Sequence, residues 1–209
     1  MVESSAFIHR FEPATAPGLP PLLLLHGTGG DENDLLPLGR AVLPGAALLS
    51  PRGQVLEGSM PRFFRRLAEG VFDEADLTKR THELADFIAD ARTRYGLQAP
   101  VALGFSNGAN IAAALLLLRP EALAGAALLR AMAPFAKPPE AQLSDKPVLL
   151  LSGRLDPIIP AANAAGLAAT LERAGAAVEH QVLPTGHGLS QADVGLLEKW
   201  LAGQRAKAA

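Results

Sequence analysis

The chain has 209 residues, 49% of them hydrophobic, and 19 Lys and Arg stand against 21 Asp and Glu for a net charge of −2. That composition supplies a sizeable core and excludes disorder, and the near-neutral charge gives nucleic acid or an anionic membrane no electrostatic hold. With no cysteine at all, disulfides, thiolate catalysis and Cys-based zinc sites are excluded together, which fits a reducing compartment.

The opening MVESSAFIHRFEP has no basic region followed by an apolar stretch, so no signal peptide is expected. No apolar run approaches the roughly 18 residues of a membrane span. The expectation is one cytoplasmic domain over residues 1–209.

In chain order, strand-like runs bounded by Gly or Pro fall at 5–11, 21–26, 46–50, 100–105, 124–129, 147–152 and 177–183. Helical patterns lie between most of them. Asp31 is placed to cap a helix over 32–43. Residues 78–95 form an amphipathic helix, with Leu84, Phe87, Ile88, Ala91 and Tyr95 at helical spacing. Further helices fit 107–119, 159–174 and 190–202, with Gly96 and Gly175 as stops and 203–209 as a frayed tail. The runs LLLL, VALGF and PVLLL are apolar at nearly every position, as in strands buried on both faces. Alternating strands and helices then give a doubly wound α/β fold, a mostly parallel sheet of about seven strands covered by helices on both faces. Residues 51–76 make a connection long enough to be functional.

Residues 104–108 read GFSNG, a G-x-S-x-G pentapeptide with a strand before it and a helix after it. There the chain turns sharply, and the flanking glycines remove side chains that would collide. The turn pushes Ser106 Oγ clear of the sheet beside a helix N-terminus. The bland reading of the same residues is a glycine-rich turn without chemistry. A serine nucleophile needs a base, and the base needs an orienting partner. In open α/β sheets, reactive groups gather beyond the C-terminal ends of the strands. Asp156 lies just past PVLLLSG and His187 lies in the loop after 177–183, whereas Asp145 precedes its strand and belongs at the wrong end. The order Ser106, Asp156, His187 is the hydrolase order. His180 reads as a structural strand residue, His82 as a solvated or capping one, His9 as an edge-strand residue and His26 as a support for its glycine-rich turn.

An oxyanion needs two donors. One is the N–H of Asn107, directly after the nucleophile; the other is expected in His26-Gly27-Thr28-Gly29-Gly30, at the N–H of Thr28. The alternative for HGTGG, a phosphate loop, lacks the G-x-G-x-x-G spacing and any GK[ST].

The segments HGTGGDENDL at 26–35 and GFSNGAN at 104–110, with the Asp156 and His187 loops, resemble the phospholipase/carboxylesterase family of α/β hydrolases, which includes acyl-protein thioesterases. SPRG at 50–53, MPRFFRR at 60–66 and GVFDEADL at 70–77 are similar to its small bacterial, hydroquinone-linked carboxylesterases. The resemblance spans about residues 20–202. It implies a Ser106–Asp156–His187 triad, oxyanion donors at Thr28 and Asn107, no cofactor, no metal and a small-molecule ester substrate, with a homodimer as an option. Thioesterase members carry Gln after the nucleophile where this chain has Asn107, which counts against acyl-protein thioesterase activity. A large lid is also missing, which counts against long-chain lipase activity.

The expected function is therefore a serine carboxylesterase for small to medium esters. The alternatives are a thioesterase or lysophospholipase with the same triad, or a non-catalytic ligand-binding member of the fold. In MPRFFRR, Phe63 and Phe64 read either as an apolar wall of the acyl site, with arginines drawing in an anionic substrate, or as core aromatics. The resemblance places the segment beside the site, so both are carried as substrate contacts. Met132 follows strand 124–129 on the correct side for a pocket. Arg130 reads best as half of a buried ion pair.

Overall fold

The protein's computed structural model describes residues 7–144 and 146–208, with side chains described as far as 204; Asp145 and the start of the expected first strand lie outside these. In chain order, β1 (His9–Glu12), β2 (Leu22–Leu25), α1 (Leu36–Val42) and β3 (Leu48–Pro51) come first. Four short strands follow: β4 (Val55–Glu57), β5 (Met60–Arg62), β6 (Arg66–Ala68) and β7 (Val71–Phe72). Next are α2 (Glu74–Tyr95), β8 (Val101–Phe105), α3 (Asn107–Leu118) and β9 (Gly125–Leu129). The chain ends with β10 (Pro147–Gly153), α4 (Ala161–Arg173), β11 (Ala177–Leu183) and α5 (Gln191–Ala208).

Seven strands form one sheet in the order β1-β3-β2-β8-β9-β10-β11. β1 pairs antiparallel with β3, and every other pairing is parallel. All four leucines of β2 are fully buried, and alternate ones serve different layers. Leu23 and Leu25 pack with Leu84 and Ile88 of α2 and with the apolar α3. Leu22 and Leu24 pack with Leu36 and Val42 of α1 and with Leu197 and Trp200 of α5. A strand covered on both faces has no polar side to show, which is why it reads as an unbroken apolar run. Each such leucine contributes about 1.5–3 kcal/mol by leaving water.

The local structure differs from expectation in four places. Asp31 does not cap α1. Its Oδ1 accepts from the Asn33 N–H (2.7 Å) in a local turn, and the helix begins only at Leu36, with Pro37 in its first turn and Leu35 as an uncapped N-cap. The long helix α2 starts four residues early because Asp73 Oδ1 accepts from the Asp76 N–H (3.1 Å), and it ends as expected at Gly96 (φ 66°). α5 runs on to Ala208 through the expected tail. The 51–76 connection is two antiparallel hairpins, β4–β5 and β6–β7, rather than an open loop.

Candidate active site

β8 ends at Phe105, and Ser106 turns the chain into α3. Ser106 has φ 51° and ψ −115°, a strained conformation for a non-glycine residue that persists only where its surroundings hold it. The Ser106 N–H donates to Leu129 O (2.8 Å) and the Asn110 N–H to Ser106 O (3.0 Å), which fixes the bend from both sides. The two glycines are required by crowding. A Cβ on Gly104 would sit 2.6 Å from Gly108 O, and one on Gly108 would overlap the Leu25 and His26 carbonyls.

The loops after β10 and β11 bring two further side chains to this bend. His187 Nε2 lies 2.9 Å from Ser106 Oγ, and His187 Nδ1 lies 2.8 Å from Asp156 Oδ2. The three residues are 31 and 81 positions apart in the chain. With the Nδ1 proton donated to Asp156, Nε2 is left to accept from the serine hydroxyl. The Asp156 side chain is buried, which alone would raise its pKa, but N–H groups of Ile158 (2.8 Å) and Ile159 (3.1 Å) donate to its other oxygen. Together with His187 they hold the carboxyl below its ordinary range. Backbone bonds tie the two loops together: Arg154 N–H to Leu183 O (2.7 Å) and Leu155 N–H to Thr185 O (3.0 Å).

The loop after β2 is held at several points. His26 Nδ1 bonds Gly27 O (2.7 Å), and the Gly53 N–H donates to His26 Nε2 (2.9 Å). The Gly29 N–H donates to Pro61 O (3.0 Å), and Arg62 Nη1 donates to Thr28 Oγ1 (2.6 Å). Arg52 holds the buried Glu32 from outside (Nη2 to Oε1, 2.9 Å). Among the described residues, neither the Thr28 nor the Asn107 N–H donates to another protein group. Thr28, Ser106, Asn107 and His187 share one cavity of about 230 Å³, whose wall also includes Phe105, Asn110, Met132, Ile158, Ile159 and Phe72, with Arg62, Arg66 and Glu69 on its polar side. A roomier cleft of about 550 Å³ lies elsewhere, against α4, and brings no nucleophile and base together. Among the described residues, no group of three His, Asp or Glu side chains is gathered to hold a metal ion.

Met132 stands in the cavity wall as expected. Phe63 and Phe64 do not: they are 2% and 0% exposed and belong to the core beneath the site. Phe63 lies against the His26 ring, and Phe64 meets Phe72 edge-on. Apolar rings sharing a segment with paired arginines gain more by joining the core than by lining a partly polar pocket. The arginines there are engaged as well, Arg66 with Glu57 (Nη2 to Oε1, 2.6 Å) and Arg65 with Asp73 (Nε to Oδ2, 2.9 Å). His180 bonds Ser152 Oγ (2.8 Å), and His9 bonds Tyr95 Oη (2.8 Å) on the edge strand. Arg130 pairs with buried Asp193. Three parts escaped the sequence reading: the role of Asn110, whose Oδ1 accepts from the Met132 N–H (2.8 Å), the Arg62–Thr28 contact, and the Ile158–Ile159 wall.

Residues 20–145 match the family model for the alpha/beta hydrolase fold. The chain is 43% identical over 194 residues to MhqD of Bacillus subtilis (strain 168), a protein assigned as a hydrolase, spanning 92% of this chain and 96% of that one.

The chain belongs to the α/β-hydrolase family.

Solved relatives of this α/β hydrolase repeat the fold. A Bacillus cereus carboxylesterase has a TM-score of 0.90 at 45% identity, covering 98% of this chain and 96% of its own. A carboxylesterase from Mesorhizobium loti has a TM-score of 0.85 at 34% identity, covering 88% of each chain. Among the described residues of this α/β hydrolase, no helix is long and apolar enough to cross a membrane.

Proposed function

We propose that this hydrolase is a serine carboxylesterase acting on small to medium esters. The observation that carries the reading is the unbroken hydrogen-bond chain Asp156–His187–Ser106, at 2.8 and 2.9 Å, opening on one cavity. In this reading Ser106 Oγ attacks the ester carbonyl while His187 Nε2 takes its proton. Asp156 holds the imidazole tautomer and stabilises the imidazolium. The Thr28 and Asn107 N–H groups, without protein acceptors, receive the developing oxyanion, an interaction for which one donor is worth on the order of 10²–10³ in rate. His187 then gives its proton to the departing alcohol, leaving an acyl-enzyme. A water deprotonated by His187 attacks the acyl carbon, and the acid leaves as the proton returns to Ser106.

The likeness to the Bacillus cereus and Mesorhizobium loti carboxylesterases supports the same reading. The size of the cavity supports short acyl groups: at about 230 Å³ it lies below the roughly 300–1,000 Å³ of ordinary ligand pockets. A long acyl chain would have to run out over the rim. An intact hydrogen-bonded chain also counts against a non-catalytic binding protein, for which a broken triad is the expected mark. A p-nitrophenyl ester series from acetate to decanoate tests the reading. Turnover should peak at short chains and fall as the chain outgrows the cavity; a peak at decanoate would favour a lysophospholipase.

A further inference from the structure

Glycines flank His187 on both sides, as Gly186 and Gly188. Glycine has the widest backbone freedom of any residue, so this loop does not by itself keep an imidazole aimed at Ser106. One guanidinium supplies the missing constraint. Arg130, at the end of β9, is fully buried. Its Nε donates to Gly186 O (3.0 Å) and its Nη2 to Gly188 O (3.2 Å) and Thr185 Oγ1 (3.1 Å). Both carbonyls beside the base are therefore held by the same planar group.

The same side chain ties that loop to the rest of the site. Nη1 donates to Leu151 O (3.2 Å) on β10, the strand that leads to Asp156. Asp193 closes the arrangement with two bonds, Nη1 to Oδ1 (2.8 Å) and Nη2 to Oδ2 (2.9 Å). Asp193 also accepts from the Ser190 N–H and hydroxyl, each at 2.7 Å, at the start of α5. The backbone of Arg130 is itself strained, with φ 55°, a conformation that surrounding contacts must over-determine. A buried ion pair is weak evidence of stabilisation, since apolar replacements often do as well. What distinguishes this one is where its spare donors go.

We propose that Arg130, fixed by Asp193, is a positioning residue that locks the 185–188 backbone so that His187 stays in line between Asp156 and Ser106. The proposal rests on the serine-esterase reading above. The test compares wild type with Arg130→Lys, which keeps the charge and loses the planar fork. On p-nitrophenyl butyrate, kcat should fall about 10- to 100-fold, the scale on which small misplacements of catalytic groups act, while KM stays unchanged. The downfield proton resonance of the His187–Asp156 hydrogen bond should broaden or vanish in the variant. A folded Arg130→Lys protein with wild-type kcat and an intact resonance would overturn the proposal.

Should Arg130→Lys fail to fold, the double variant Arg130→Met with Asp193→Leu removes both charges and leaves neither buried alone. The same loss of kcat is expected there. A folded double variant with full activity, or failure of both variants to fold, would assign the pair to stability and overturn the proposal. A wild-type protein unreactive towards a fluorophosphonate would instead defeat the serine reading, and the positioning role with it.

Discussion

The Phe63 N–H donates to Asn107 Oδ1 over 2.7 Å, joining two residues 44 positions apart. This bond links the hairpin segment to the residue directly after Ser106, whose own N–H faces the cavity in the proposed oxyanion role. Phe63 and Asn107 are each 2% exposed, so water has little access to either partner. The expected cost of Asn107→Ala follows from that burial. It leaves the Phe63 N–H without an acceptor, worth about 1–3 kcal/mol, and frees the elbow from the segment beside it. Urea unfolding and kcat measured on one preparation check both effects. Stability within about 0.5 kcal/mol of wild type would mean the bond is replaced.

Acid should loosen the loop after β2. Burial lowers the pKa of His26 from its ordinary 6.5, against weaker opposing effects of its bond to Gly27 and of nearby carboxylates. The neutral ring suits its surroundings, donating from one nitrogen to Gly27 O and accepting at the other from Gly53 N–H. Below about pH 6.5 the unfolded chain takes up this proton before the folded one does, so stability falls as pH drops toward the depressed folded value. Protonation also removes the acceptor that holds Gly53. Thermal unfolding at pH 7.5 and 5.5, for wild type and His26→Gln, separates this contribution from the other titrating groups. The variant should be less stable at pH 7.5 and lose less between the two values. An equal loss in both proteins would mean that His26 does not contribute to the acid sensitivity.

Crowding separates Gly108 at the elbow from Gly166 in α4. A Cβ on Gly108 would overlap backbone carbonyls, which cannot swing aside, while one on Gly166 would meet nothing within 4 Å. Gly108→Ala should therefore shift the elbow, destabilise the protein by several kcal/mol and abolish activity. Gly166→Ala, in the middle of α4, should stabilise by about 0.5–1 kcal/mol through helix propensity. Melting temperatures of the two variants decide it.

Which parts of this molecule were legible in advance follows from the range of the interactions involved. The leucine runs of β2 and β10 announce strands covered on both faces, because burial acts on every residue in them. Ser106 between its glycines is a local steric pattern, and the strand-end rule then leads to Asp156 and His187 without any knowledge of distances. Phe63 and Phe64 were harder. Their fate depends on the His26 and Phe72 rings, which only the fold brings near. The pairing of Arg130 with Asp193 across 63 residues leaves no periodic trace. At Asp31 two local signals competed, a helix cap and a turn, and the turn through Asn33 prevailed. The β4–β5 hairpin did leave a mark in Gly58 (φ 62°), since a glycine and one small polar residue between short runs is a two-residue hairpin signal.

An activated Ser106 nucleophile is tested most directly by intact mass after exposure to a fluorophosphonate. Wild type and Ser106→Ala are treated side by side, with p-nitrophenyl butyrate hydrolysis followed on the same samples. One covalent adduct and turnover are expected in wild type, and neither in the folded variant. Folded wild-type protein with no adduct and no turnover, or a Ser106→Ala variant that keeps both, would contradict an activated Ser106.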